Sequence, residues 1–176
     1  MILPLTEKQP GGVKKVGAPS VEELEGTPGF PTRQQMKQGP LAIIECVEEI
    51  PCNPCETACP HGAITVGYPI TALPVLEVEK CKGCGLCIAA CPGLAIYLKD
   101  YTYSEDRALI MFPFEYYPLP EPGQEVTLVN RLGQEVCKAQ VLRVNKARRN
   151  DRTTVISAAF GKDHFFEVVS MKRLSR

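Results

Sequence analysis

Eight of the nine cysteines in this 176-residue chain fall between positions 46 and 91. The clearest run is Cys81-Lys-Gly-Cys84-Gly-Leu-Cys87-Ile-Ala-Ala-Cys91-Pro92, a Cys-x2-Cys-x2-Cys-x3-Cys-Pro spacing. That spacing suits an iron–sulfur cube, whose corners each need a thiolate. A tight loop supplies three thiolates to one cube, and the fourth cysteine leaves with the following helix to serve a second cube. Gly83 and Gly85 allow the loop to turn back at positive φ and to aim its N–H groups at the negative sulfurs. A zinc site would usually show Cys-x2-Cys pairs separated by a long spacer, and a disulfide framework has no need of this regularity. The run fits neither of them well.

An imperfect copy precedes it: Cys46-Val-Glu-Glu-Ile-Pro-Cys52-Asn-Pro-Cys55-Glu-Thr-Ala-Cys59-Pro60. The copies align at a shift of 32, which lays Ala58-Cys59-Pro60-His61-Gly62-Ala63-Ile64 over Ala90-Cys91-Pro92-Gly93-Leu94-Ala95-Ile96. Such repetition marks a doubled structural unit. At this shift Glu49 stands where Cys81 stands in the second copy, and Cys46 lies three residues too early. The expected ligand sets are Cys59, Cys81, Cys84 and Cys87 for cluster A, and Cys46, Cys52, Cys55 and Cys91 for cluster B. Cys46 reaches its cube if Val47 to Pro51 bulge outward; the alternatives are Glu49, a water, or an incomplete cluster. Softness favours the thiolate. His61 is expected to cap or shield the cluster surface rather than to ligate iron. Cys137 stands apart and reads as a buried apolar thiol.

The elements around these loops repeat as well. Strands are expected at 41–45, 63–66, 75–79 and 94–98, with short helices ending at Cys59 and running from Leu86 to Ala90. Residues 1–40 hold six prolines, six glycines and Phe30 as their one aromatic residue, so they form no core of their own. They read as an extended arm or a tail, with Leu24, Phe30 and Met36 spaced as anchors and Ser20-Val-Glu-Glu opening a helical turn through a capping box. Residues 101–122 form an aromatic bridge and linker: Tyr101 to Tyr117 reads as a strand and bridge packing on its neighbour, or as a docking surface, and Pro118 to Gly123 as a stiff linker. Residues 123–176 then shift to short strands at 125–129, 137–144, 153–159 and 165–169, with a turn at Asn130 to Gly133. That pattern suggests a small barrel or curled sheet.

At 44% hydrophobic the chain can build a core, yet nine cysteines, sixteen prolines and no tryptophan argue against one continuous globule. Net charge is zero but unevenly spread: residues 41–100 carry seven acids against three bases, and residues 123–176 five acids against eleven bases. The basic loop Asn145 to Arg152 lacks interleaved aromatic residues, so a solvated tip or a contact to an acidic partner outweighs nucleic-acid binding. The opening Met1 to Lys8 has no signal-peptide pattern, and no stretch is long enough to span a bilayer. A soluble, cytoplasmic protein in a reducing compartment is expected.

Residues 75–98 resemble the bacterial two-[4Fe-4S] ferredoxins, and residues 41–66 resemble them with the Cys46 departure. The first motif and the layout are most similar to the small dicluster subunits of multi-subunit flavin-dependent amine or imino-acid (proline and hydroxyproline type) dehydrogenases. The resemblance implies an α+β fold: a ferredoxin-like dicluster unit of pseudo-twofold βαβ repeats at 41–100, an extended N-terminal arm, and a small C-terminal all-β barrel-like domain. It implies two [4Fe-4S] clusters, FAD-containing dehydrogenase partners and a [2Fe-2S] subunit, and hence an electron-transfer subunit without a catalytic site of its own. A free soluble ferredoxin, and a scaffold or nucleic-acid-binding protein with structural clusters, are the rival readings.

Overall fold

The computed structural model describes residues 12–175. Three short helices open it: α1 (Gly12–Val16), α2 (Val21–Glu25) and α3 (Arg33–Met36). Ser20 and Thr32 each form a full capping box, with Glu23 and Gln35 reaching back to the cap N–H. These reciprocal bonds satisfy helix-end donors that helices of four and five residues could not otherwise offset. The residues 12–40 segment is neither loose nor continuously extended. Leu24 and Met36 are buried, Phe30 packs against the same core as Met36, and the Pro28 carbonyl accepts from the Leu76 N–H. The surface that orders this arm is the chain's own sheet.

Next come β1 (Pro40–Ile44), α4 (Pro54–Ala58), β2 (Ile64–Thr65), β3 (Val75–Leu76), α5 (Leu86–Ala90) and β4 (Ile96–Asp100). β1 pairs antiparallel with β4, placing Ile44 opposite Ile96, and β2 pairs antiparallel with β3, placing Ile64 opposite Leu76. A shift of 32 residues carries 44 onto 76, 64 onto 96, and α4 onto α5. The strand expected over 75–79 is shorter, because Val78–Lys80 tightens into a 3-10 turn that brings Cys81 into the loop.

The rest of the chain is strand: β5 (Arg107–Phe114), β6 (Glu125–Val129), β7 (Glu135–Asn145), β8 (Thr154–Gly161) and β9 (Ser170–Met171). One seven-stranded sheet runs β1-β4-β5-β8-β7-β6-β9, crossing the expected boundaries at 100/101 and 122/123 without a break in its pairing. β5 alternates as a half-buried strand should: Ala108, Ile110, Phe112 and Phe114 are buried, and the residues between them are half-exposed. On β7, Ala139 and Val141 face inward while Lys138, Gln140 and Leu142 face outward, with a bulge after Val141. β9 also approaches β5, so this end of the sheet is strongly curled.

β8 is buried on both faces from Thr154 to Phe160. Its Ile156, Ala158 and Phe160 join the core inside the curl, whereas Val155 joins the core beneath the cysteine loops. β4 divides its side chains in the same way. Ile96 and Leu98 face the cysteine loops, and Tyr97 belongs to the core on the arm side. α5 packs close to β5 and β8, so the small Ser157 and Ala159 leave room for it. Each buried Phe or Ile here contributes roughly 1.5–3 kcal/mol.

The strand expected at 165–169 does not form. The Glu167 and Val168 N–H groups donate to the His164 carbonyl, and Phe165 has helical backbone angles. Phe165 and Val168 are both fully buried, a spacing of three that fits a helical turn and not a strand. Among the described residues no helix is long and apolar enough to cross a membrane.

Candidate metal centres

α4 and α5 end in the same way. Cys59 and Cys91 are their C-terminal caps, both with extended backbone, which directs each thiol away from its helix. The Ala63 N–H donates to Cys59 Sγ at 3.3 Å, and the Ala95 N–H donates to Cys91 Sγ at 3.4 Å. Backbone N–H groups aimed at sulfur stabilise a thiolate, and they recur here at the same step of 32 residues. In the loop before α5, Gly83 and Gly85 have φ of 62° and 74°, as the turn requires. Gly83 is also sterically fixed, since a Cβ there would lie 2.5 Å from Pro40 Cβ at the start of β1.

The sulfurs sort into two quartets. Burial pushes the Cys87 thiol up to about 12, and the neighbouring sulfurs of Cys81, Cys84 and Cys59 add to it. Burial likewise pushes Cys55 up to about 11, with Cys91 and Cys52 as its sulfur neighbours. Cys46 is raised too, first by burial and then by Cys91, Cys52 and Glu48, against a lowering by the Glu48 backbone. Four thiolates so placed repel one another, and iron is the cationic partner that would hold them ionised. Cys46, Cys52, Cys55 and Cys91 line one cavity with Ile44, Ile50 and Glu48; Glu49 is exposed and does not line it. None of the nine cysteines is in a disulfide.

Among the described residues no three His, Cys, Asp or Glu side chains close on a point tightly enough for a single metal ion. Two all-cysteine groups that each draw on both copies of the motif suit sulfur-bridged clusters better than a lone zinc. His61 is exposed, and it is Ala63 that donates to Cys59. Cys137 lies half-buried on β7, its thiol pushed up to about 11 by burial and then by Glu167.

Sequence reasoning missed a buried polar group just behind Cys46. Glu45 Oε1 accepts from Arg131 at 2.9 Å and 2.5 Å, and from the Tyr97 hydroxyl at 2.5 Å. Burial and the Glu45 charge raise Tyr97 well above its usual value. Lys99, two residues along β4, is 2% exposed and donates to the Phe165 carbonyl. The legible signals were period-two alternation from Tyr97 to Lys99 and an arginine inside a four-residue turn.

Residues 45–95 match the 4Fe-4S dicluster domain, a span that contains all eight motif cysteines. The chain is 30% identical over 107 residues to an isethionate sulfite-lyase activating enzyme of Desulfovibrio desulfuricans, covering 59% of this chain and 34% of that protein. It is 40% identical over 61 residues to an uncharacterized ferredoxin of Methanocaldococcus jannaschii, 35% of this chain and 36% of that one. It is 43% identical over 54 residues to the polyferredoxin-like subunit of a Pyrococcus furiosus aliphatic sulfonate oxidoreductase, 31% of this chain and 28% of that subunit. The matched regions thus span about a third of these relatives. No solved structure matches the chain significantly. Residues 45–95 thus carry a 4Fe-4S dicluster domain, which indicates [4Fe-4S] clusters as its cofactors.

Proposed function

We propose that this chain is an electron-transfer subunit holding two [4Fe-4S] clusters. Cys59, Cys81, Cys84 and Cys87 bind cluster A, and Cys46, Cys52, Cys55 and Cys91 bind cluster B. The observation that carries this reading is the crossed grouping of the sulfurs. Cys87 neighbours Cys59 from the other copy, and Cys55 neighbours Cys91 from the other copy. The matching registers of β1–β4 and β2–β3 support a pseudo-twofold ferredoxin-like unit, and the curl from β5 to β9 supports a barrel-like C-terminal part.

When bound, such clusters accept and release single electrons. This chain's own groups hold the thiolates, donate backbone hydrogen bonds to sulfur, and screen Cys55 and Cys87 from water. We further propose that the subunit serves a flavin-dependent amine or imino-acid dehydrogenase complex in the cytoplasm, passing electrons between FAD-containing subunits, a [2Fe-2S] subunit or an outside acceptor. Support for this context is the layout: a proline-rich arm, the two motifs and a β-rich tail. The Pyrococcus furiosus relative is likewise called a subunit of an oxidoreductase.

Anaerobic analysis should return about eight iron and eight sulfide per chain, with reversible reduction by dithionite. Clusters that resist reduction would assign them a structural role, and about four iron would refute the second cluster. Affinity purification from the native host tests the complex. Recovery of the chain without any flavoprotein would refute the dehydrogenase context and leave the electron-transfer reading standing.

A further inference from the structure

Behind the cluster unit, on the opposite side of β4, a cavity of about 280 Å³ lies between the N-terminal arm and the sheet. That is near the lower end of the range for small-molecule pockets, ~300–1,000 Å³. Phe30, Met36, Tyr97 and Phe166 give it apolar and aromatic walls, and Lys99 lines it from β4.

Lys99 is the unusual wall. Its side chain is 2% exposed, and among the described residues its ammonium has one acceptor, the Phe165 carbonyl. An ammonium has three donors and requires a counter-charge when buried. The faces of Tyr97 and Phe165, 5.4 Å and 5.2 Å from Nζ, compensate it only in part. Of the two carboxylates that act on it, Glu45 is already held by Arg131 and the Tyr97 hydroxyl, and Glu167 faces the His164 ring. The cavity's own lining adds Arg33, Arg131 and Glu25. Among the described residues no carboxylate forms an ion pair with Lys99 itself. Burial lowers Lys99 to about 7, with Arg131 adding to the lowering and Glu45 and Glu167 opposing it. The protein by itself under-compensates this charge.

We propose that this cavity binds a small organic monocarboxylate, its carboxylate pairing with Lys99 and its apolar body lying among Phe30, Tyr97 and Phe166. A carboxylate would supply the charged acceptor that Lys99 lacks. The aromatic walls favour an organic body over a bare inorganic anion. The site is separate from the cysteine quartets and needs neither cluster for its recognition chemistry.

Benzoate and its neutral counterpart benzamide are suitable probes, titrated calorimetrically into the cluster-loaded full chain under anaerobic conditions. Benzoate should bind with one-to-one stoichiometry, and benzamide at least roughly tenfold more weakly, since a charge-assisted hydrogen bond is lost. Lys99→Met, which keeps the length and removes the charge, should weaken benzoate by a similar factor and leave benzamide unchanged. Val21→Trp, at a half-buried wall position, should block both probes and keeps the test open if Lys99→Met does not fold. Absence of benzoate binding at about 10 mM, far above the range of ordinary ligand affinities, overturns the proposal. Equal binding of the two probes, or benzoate binding unaffected by either substitution, also overturns it.

Discussion

Replacing Arg131 by Met should expose how firmly the C-terminal strands are tied to the cluster unit. Arg131 sits in the turn between β6 and β7, and its partner Glu45 follows β1 directly before Cys46. The two side chains are 9% and 11% exposed and meet at 2.5 Å. Removing one member of so buried a pair leaves the other uncompensated, at a cost of about 3–5 kcal/mol. Glu45→Gln should cost somewhat less, since an amide oxygen still accepts from Tyr97 while Arg131 loses its counter-charge. The double variant should recover most of the loss, because a neutral pair needs no compensation. Guanidinium titration of the cluster-loaded protein, followed by bleaching of the visible absorbance, reads the cycle. At a slope of roughly 4 kcal/mol per molar, Arg131→Met should lower the midpoint by about 1 M. Single-variant losses that simply add in the double variant would refute the pairing as the source of the effect.

Three further outcomes follow. Cys46→Ser should degrade one cluster by EPR and iron content, while Glu49→Gln leaves both assembled; the reverse pattern would establish a carboxylate ligand. Gly83→Ala should lose clusters because its Cβ would lie 2.5 Å from Pro40 Cβ, whereas Gly62→Ala, with φ of 60° and open space around it, should cost only about 1–2 kcal/mol and keep them. Equal behaviour of the two would show that backbone angle alone decides. Stability should rise with pH from about 7 toward 10.5, because Lys99 is lowered to about 7 by burial and regains its ordinary value on unfolding. In that window the unfolded chain binds more protons, so the slope is positive, and below it both states are protonated and the slope vanishes. Guanidinium midpoints of Lys99→Met should lack this slope, and an unchanged slope would assign it to other groups.

The cysteine spacing, the span of α5, β6 and the Ser20 capping box were all legible, because each rests on local chemistry within a few residues. The role of Tyr101 to Tyr117 was only half legible. Pro113 argues against an interior strand, yet β4 pairs with β5 only as far as Met111, so the proline sits where β5 has no neighbour on that side. The turn at Phe165 was misread because two adjacent phenylalanines and two valines satisfy either period, and only tertiary burial chooses between them. Glu45, Tyr97, Lys99 and Arg131 were invisible as a group, since contacts across 34 to 86 positions leave no local pattern.

The doubly buried β8 has a consequence for anyone who would cut or splice this chain. A fragment ending near residue 100 would carry every motif cysteine, yet it would bare one edge of β4 and leave α5 without the strands it lies against. Exchange of cluster units between such proteins should therefore succeed only when β5 and β8 travel with the cysteines. The smallest transplantable piece is not the ferredoxin-sized segment but one extending past Gly161.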